Sequence, residues 1–135
     1  MALVSLVLMP MAAKAEGDTR EQVALPDMMQ SHMLANTRDH LAALNEILAS
    51  MAGGDGDKAA QIAETRLGMS SLATHGASHM APFMPERMRE IGTGMHHAAS
   101  RFALRAQEGE PGPALKALSD VTAACVACHS GYRIR

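Results

Sequence analysis

The stretch ALKALSDVTAACVACHSGYRIR, residues 114–135, determines the expected fold and carries the most specific motif in the chain. Apolar residues recur in it at alternating intervals of four and three, which is the spacing of one face of an α-helix. The positions that share this face are Ala114, Leu118, Val121, Cys125, Cys128 and Tyr132. The stretch therefore predicts a C-terminal amphipathic helix whose inner face includes both cysteines of the chain.

Three segments upstream show the same helical spacing. We expect a first helix over residues 26–51, a second over about 58–75 and a third over about 85–107. Their expected inner faces are Leu34, Thr37, Leu41, Leu44, Leu48 and Met51, then Ala59, Ile62, Ala63, Leu67 and Ser70, then Met88, Ile91, Met95, Ala98, Phe102 and Ala106. Because turns rich in glycine or proline separate the helices and no segment alternates with a period of two, the sequence predicts an all-α fold, an antiparallel four-helix bundle.

Composition limits the class of protein. A chain of 135 residues suits one domain, and its net charge of −2, without a dense cluster of Lys or Arg, gives no support to nucleic-acid binding. No apolar run approaches the roughly 20 residues of a membrane-spanning helix. No paired-carboxylate, serine–histidine–acid or phosphate-binding arrangement indicates an enzyme. The 12 methionines and three large aromatic residues permit a planar cofactor to supply part of the core packing.

The first 15 residues have the pattern of an export signal. The apolar stretch ALVSLVLMPMA is followed by Ala-Lys-Ala at residues 13–15, which is a small-x-small cleavage site. We expect cleavage after Ala15, a mature domain over residues 16–135 and a location outside the cytoplasm. Because no Lys or Arg precedes the apolar run, a plain apolar tail is the alternative interpretation.

The sequence Cys-Val-Ala-Cys-His at residues 125–129 has the pattern of covalent c-type haem attachment. Two thiols one helical turn apart can each bond to a vinyl group of the macrocycle, while the imidazole of His129 binds the iron. Structural zinc would need a second pair of ligands, and a redox dithiol belongs near a βαβ pattern. A disulfide between Cys125 and Cys128 would strain the helix. The remaining alternative is two small core residues followed by an unrelated histidine. The motif predicts one haem c.

Four helices with Cys-x-x-Cys-His near the C-terminus, followed by Tyr132 and Arg133, resemble the class II cytochromes c, which include the cytochromes c′ and the low-spin cytochrome c-556 type. As architecture, the resemblance covers residues 25–135. It implies covalent haem, a periplasmic location in a bacterium and, in many members, a homodimer. It also implies that Arg133 lies near the haem edge or near His129, whereas a solvated cation at a helix C-terminus is the alternative.

The resemblance places the residue opposite His129 on the first helix. A methionine there gives a low-spin electron carrier, and an apolar residue leaves iron that can bind small gases. We expect Met33 to be the sixth ligand because it neighbours the inner face, although methionine at helical spacing is commonly a core residue. The other candidates are Met28, Met29, His32 and Thr37, the last of which would leave the iron open. The Arg-Gln pair usual in cytochromes c′ is missing from this region, which weakens the likeness to that subgroup.

The sequence as a whole predicts a periplasmic monohaem cytochrome that carries single electrons between redox partner proteins. One alternative is a five-coordinate haem protein that binds NO or CO. Another is a haem-free helical bundle that handles metal, because residues 75–88 bring together imidazoles and thioethers, which are ligands that copper accepts. The residues concerned are His75, His79, Met80, Met84 and Met88, together with His96 and His97 of the third helix.

Overall fold

The computed structural model describes residues 17–135, which are mostly helical with little strand. The helices in this part of the chain are α1 (Asp27–Ala52), α2 (Gly56–Arg66), α3 (Ala77–Met80), α4 (Glu86–Gln107) and α5 (Pro111–Gly131). Two strands of two residues each, β1 (Glu21–Gln22) and β2 (Tyr132–Arg133), pair in parallel. The all-α prediction is confirmed. The expected export signal at residues 1–15 lies outside the described residues.

The turn between α1 and α2 follows the sequence signals at helix ends. The amide of Gly53 donates a hydrogen bond of 3.0 Å to the carbonyl oxygen of Ala49 and ends α1. The side chain of Asp55 then accepts a hydrogen bond of 2.9 Å from the amide of Lys58. An aspartate at this position satisfies one of the amides that have no partner at a helix start, so α2 begins directly after a tight turn.

The start of α2 lies against the end of α4. A Cβ atom added at Gly56 would lie 2.3 Å from the carbonyl oxygen of Ala106. No other residue can occupy this position without a shift of backbone, because real Cβ atoms do not approach an oxygen so closely. The glycine therefore fixes how closely these two helices approach each other.

The second helix is shorter than predicted. It ends at Arg66 and does not continue to His75. The amide of Gly68 folds back onto a carbonyl oxygen of the last turns of α2, and Gly76 adopts a left-handed conformation with φ of 65°. Both glycines interrupt helical hydrogen bonding. Residues 67–83 instead form turns, two short 3-10 helices and the single-turn α3.

One buried core joins the four long helices. Helix α2 packs against α1 and α4, and α4 packs against α5. The buried side chains of this main core are Ala43, Ile47, Ala59, Ala60, Ala63, Leu67, Met95, Ala98, Ala99, Phe102, Ala103, Ala106, Ala114, Leu118 and Val121. The predicted inner faces of α4 and α5 are thus largely confirmed, whereas the prediction for Ser70 is wrong because it is exposed. No helix within residues 17–135 has the length and apolar character that a membrane crossing requires.

Helix α1 meets this core with only part of its predicted face, since Leu44 and Met51 pack against the core but are only partly buried. Its buried residues are Met33, Ala43, Ile47 and Ser50. The prediction for Leu41 and Leu48 is wrong, because their side chains remain 71% and 51% exposed. The physical reason is that α1 packs mainly on α2 and does not close against α5. Its most apolar face is consequently left beside an open groove.

Candidate functional site

The two cysteines lie in the last turns of α5. Both are half-buried and neither forms a disulfide. Cys125 packs against the main core, whereas Cys128 packs against a second buried cluster. Burial raises the pKa of both thiols, because an apolar environment disfavours the thiolate. The arrangement provides two protonated thiols, one helical turn apart, at the edge of the interior.

The histidine of the motif is exposed. Within residues 17–135 no hydrogen bond engages the His129 ring, while its carbonyl oxygen accepts one of 3.4 Å from Nη1 of Arg20. Arg133 follows in β2, where it is half-buried, and its Nε lies 3.6 Å from Oδ2 of Asp18. Arg133 is therefore close to a carboxylate beyond the end of α5, although its buried Nε has no hydrogen-bond partner among residues 17–135.

Beside Cys128 lies a second buried cluster, which we call the methionine cluster. Its buried members are Val23, Leu25, Met33, Met80 and Met88. Around them pack Met29, Met84, Cys128, Tyr132 and Ile134. The structure thus places the thioether of Met33, from α1, in the same cluster that the thiol of Cys128, from α5, contacts.

The other candidates for an iron ligand on α1 have different surroundings. Met28 is 86% exposed, and Met29 lies at the margin of the methionine cluster. Nε2 of His32 is engaged with the carbonyl oxygen of His75 at 3.0 Å. The hydroxyl of half-buried Thr37 donates a hydrogen bond of 3.2 Å to the carbonyl oxygen of its own helix at position 34. Of the five candidates, only Met33 is buried in the cluster beside Cys128.

An open groove of about 810 Å³ lies between α1 and α5. This volume falls in the range of about 300–1,000 Å³ that small-molecule and cofactor sites occupy. The α1 wall consists of Arg38, Leu41, Ala42, Leu44, Asn45 and Leu48, and the α5 wall of Leu115, Leu118, Ser119 and Thr122. We call this feature the α1–α5 groove.

The motif lies on the same side of α5 as the groove wall. Positions 115, 118 and 122 line the groove, and the same alternation of three and four continues to Cys125 and His129. Residues with this spacing lie one above another along a helix. Cys125 and His129 therefore lie on the side of α5 that lines the groove, beyond its last lining residue, Thr122.

A cluster of three histidines was missed in the sequence. We call this the histidine cluster, and it consists of His40 from α1, His75 from the segment after α2, and His96 from α4. The ring centroid of His75 lies 4.8 Å from that of His40 and 5.4 Å from that of His96, and the centroids of His40 and His96 are 6.1 Å apart. Removal from water lowers the pKa of all three, that of His40 to about 4. His40 lies three residues before Ala43 and seven before Ile47, and this helical spacing could have predicted that His40 faces inward with them.

The histidines and methionines of residues 75–88 do not gather at one place. His75 is buried in the histidine cluster, His79 is exposed, and Met80 and Met88 belong to the methionine cluster. Across residues 17–135, no group of three His, Cys, Asp or Glu side chains is arranged to hold a metal ion. The side chains that were considered for copper are thus divided among three environments.

Comparison with protein-family models, with curated proteins and with solved structures found no match to this chain.

Proposed function

We propose that this protein is a periplasmic monohaem c-type cytochrome of the class II kind, in which α1, α2, α4 and α5 form an antiparallel four-helix bundle. It carries single electrons between redox partner proteins. The observation that carries the proposal is the position of Cys-x-x-Cys-His, because Cys125 and His129 follow the groove-lining residues of α5 at helical spacing, beyond Thr122. Two unbridged thiols, an exposed imidazole and an adjoining apolar groove fit the requirements of a covalently attached planar macrocycle.

The orientation of α1 supports a bound group in the groove. This helix directs Leu41, Leu44 and Leu48 to the groove, and its inward stripe includes His40 and Ser50. Each Å² of apolar surface left in water forgoes about 25 cal/mol of stabilisation. Contiguous exposed apolar surface commonly marks a binding site, and a macrocycle between α1 and α5 would remove this surface from water.

Each residue of the site has a distinct role in the proposal. Cys125 and Cys128 hold the haem through thioether bonds, and His129 binds its iron. Met33 is the sixth ligand, since among the buried methionines of the cluster that contacts Cys128 it is the one from α1. Methionine with histidine gives a higher reduction potential than two nitrogen ligands. Arg133 lies next to the motif, held by Asp18. The haem supplies the one-electron chemistry, and these side chains orient it and exclude water.

The optical spectrum of the matured protein tests the proposal. The chain is produced in a bacterial host with the c-type maturation machinery, and spectra are recorded in the ferric and ferrous states, with and without carbon monoxide. We expect a low-spin spectrum, a methionine–iron charge-transfer band and no change with carbon monoxide. Met33→Ala should abolish that band, whereas the exposed Met28→Ala should retain it.

Two other results would replace the proposal. A high-spin spectrum that changes on addition of carbon monoxide would establish open iron and make the protein a gas-binding haem protein. A colourless product would mean that the protein is a haem-free helical protein, provided that the same host matures a known c-type cytochrome in a parallel control.

A further inference from the structure

The histidine cluster has no role in the proposed electron transfer, and it lies where three parts of the chain meet. His40 comes from α1, His96 from α4 and His75 from the segment 67–83 that connects α2 to α4. The side chains of His75 and His96 are more than nine-tenths buried. Nε2 of His40 is also buried and has no hydrogen-bond partner.

The hydrogen bonds define which nitrogens carry protons. The hydroxyl of Ser71 donates its one hydrogen to the carbonyl oxygen of Gly68 at 2.7 Å, so it accepts from Nδ1 of His75 at 3.3 Å. Nδ1 of His96 donates to the carbonyl oxygen of Leu67 at 2.6 Å. Nδ1 of each of these two rings therefore carries a proton, so that charging either ring adds the second proton on Nε2.

The surroundings oppose such a second proton. The carboxylate beside the cluster is Asp39, and Arg66 of α2 already binds both of its oxygens. His32 on α1 and His97 on α4 also face the cluster, and each would add positive charge on protonation. A charged Nε2 on His40 would be buried without an acceptor, which is costly. The cluster is stable only while its rings are neutral.

His75 also attaches the connecting segment to the rest of the protein. Its carbonyl oxygen accepts hydrogen bonds of 3.0 Å from the side chains of His32 and Asn36, both on α1. The segment has little regular structure, and segments of this kind open locally more easily than packed helices. Further along the same segment, Met80 packs in the methionine cluster.

We propose that the histidine cluster is a proton-sensitive latch, which holds residues 67–83 against α1 and α4 at neutral pH and releases them on acidification. The packed core of α1, α2, α4 and α5 stays folded during this release. Because Met80 and Met33 share the methionine cluster, the opening also loosens the packing around Cys128.

The direction of the pH dependence follows from the lowered pKa values of the three histidines. The pKa values of the three histidines lie below the ordinary 6.5 while the segment is closed, and return to it when the segment opens. The open state thus binds more protons below pH 6.5, and the closed state loses stability as the pH falls from 6.5 to about 4. His40 alone, with a pKa of about 4 when closed, predicts an increase of about 30-fold in the opening constant between pH 7.5 and pH 5.0.

Hydrogen–deuterium exchange of the matured full chain tests the latch. Exchange is measured at pH 7.5 and pH 5.0 with EDTA present, after correction for the intrinsic dependence of exchange on pH. We expect the opening constant of residues 67–83 to rise by about 30-fold or more at pH 5.0, while amides in the middle of α4 and α5 keep their protection. A pH-independent opening constant, or an equal rise in all helices, would overturn the proposal.

Variants assign the effect to the cluster. His40→Leu and His75→Gln each remove a titrating ring, so either variant should reduce the rise in the opening constant at pH 5.0. If only one of the two variants folds, that variant alone is sufficient for the test. The control is His79→Gln, at an exposed position of the same segment outside the cluster, which should keep the full rise in the opening constant. A rise unchanged in every folded cluster variant would show that other groups drive the opening and would reject the latch.

Discussion

The amide of Val23 donates a hydrogen bond of 2.8 Å to the carbonyl oxygen of Arg133, which ties the segment before α1 to the segment after α5. The parallel pairing of β1 with β2 and the hydrogen bond of 2.7 Å from Gln30 to the carbonyl oxygen of Ile134 extend this connection. Residues that follow the Cys-x-x-Cys-His motif are therefore held in place by residues that precede the first helix or lie in its first turn.

The first prediction concerns this N-terminal segment. Val23 is buried in the methionine cluster, so Val23→Ala should lower the free energy of unfolding by about 1–2 kcal/mol through lost burial and the cavity left behind. Gln22→Ala, at the exposed neighbouring position in β1, should change it by less than about 0.5 kcal/mol. Urea unfolding of the two variants measures the difference. Equal effects would mean that the segment is not packed on the cluster.

The second prediction concerns the contact between α2 and α4. A methyl group in Gly56→Ala would collide with the carbonyl oxygen of Ala106, so we expect a loss of stability of about 1–3 kcal/mol. Gly94→Ala is the control, because no atom lies within 4 Å of the added Cβ in α4. It should stabilise the protein by about 0.5–1 kcal/mol through helix propensity. Thermal unfolding gives both values, and a neutral Gly56→Ala would contradict the close approach.

The third prediction concerns the thiols before haem attachment. Burial raises the pKa of Cys125 and Cys128, and the thiolate is the species that iodoacetamide alkylates. In haem-free protein at pH 8, alkylation should be slower than in the same protein unfolded in guanidinium, by about tenfold for each unit by which folding raises the pKa. Mass spectrometry over time measures the rates. Equal rates in the two states would contradict the burial of the thiols.

The fourth prediction separates the α1–α5 groove from the rest of the surface. Leu41 is exposed in the groove, so Leu41→Asp should change the stability of haem-free protein by less than about 0.5 kcal/mol. In the haem-loaded protein it should cost about 1–3 kcal/mol, because the carboxylate would lie against the macrocycle. Leu104→Asp, at a position on α4 that is 65% exposed, should have little effect in either form. If Leu41→Asp changes the stability of the haem-free and the haem-loaded protein equally, the groove does not hold the haem.

The extent of the helices was predictable where local signals are strong. Proline and glycine limit α1 and α4, and the predicted bounds of these helices lie close to the observed ones. The expectation that Tyr132 lies on the last helix is wrong, because α5 ends at Gly131 and Tyr132 begins β2. The end of α2 was not predicted, because its apolar spacing continues to Leu67 and Ser70 beyond the last helical turn. Gly68 ends the helix through a hydrogen bond back to α2, and a single glycine within an apolar pattern did not indicate such a stop.

The orientation of α1 could not be derived from hydrophobicity alone. Two stripes of the helix have the spacing of three and four, one with leucines and one with Met33, His40, Ala43 and Ile47. The leucine stripe is the more apolar and was therefore expected inside, yet the fully buried residues of α1 in the main core are Ala43 and Ile47 of the other stripe. Which stripe is buried depends on the neighbouring helices. The histidine cluster was missed for the same reason, since its rings come from distant parts of the chain.

The intact mass of the matured protein after acid–organic extraction tests the central claim most directly. The proposal predicts that the unaltered chain retains the added mass of one haem, that Cys125→Ala/Cys128→Ala carries none, and that His79→Ala, at an exposed position, retains it fully. An unaltered chain without added mass, or a double variant that keeps it, would contradict covalent attachment through Cys125 and Cys128.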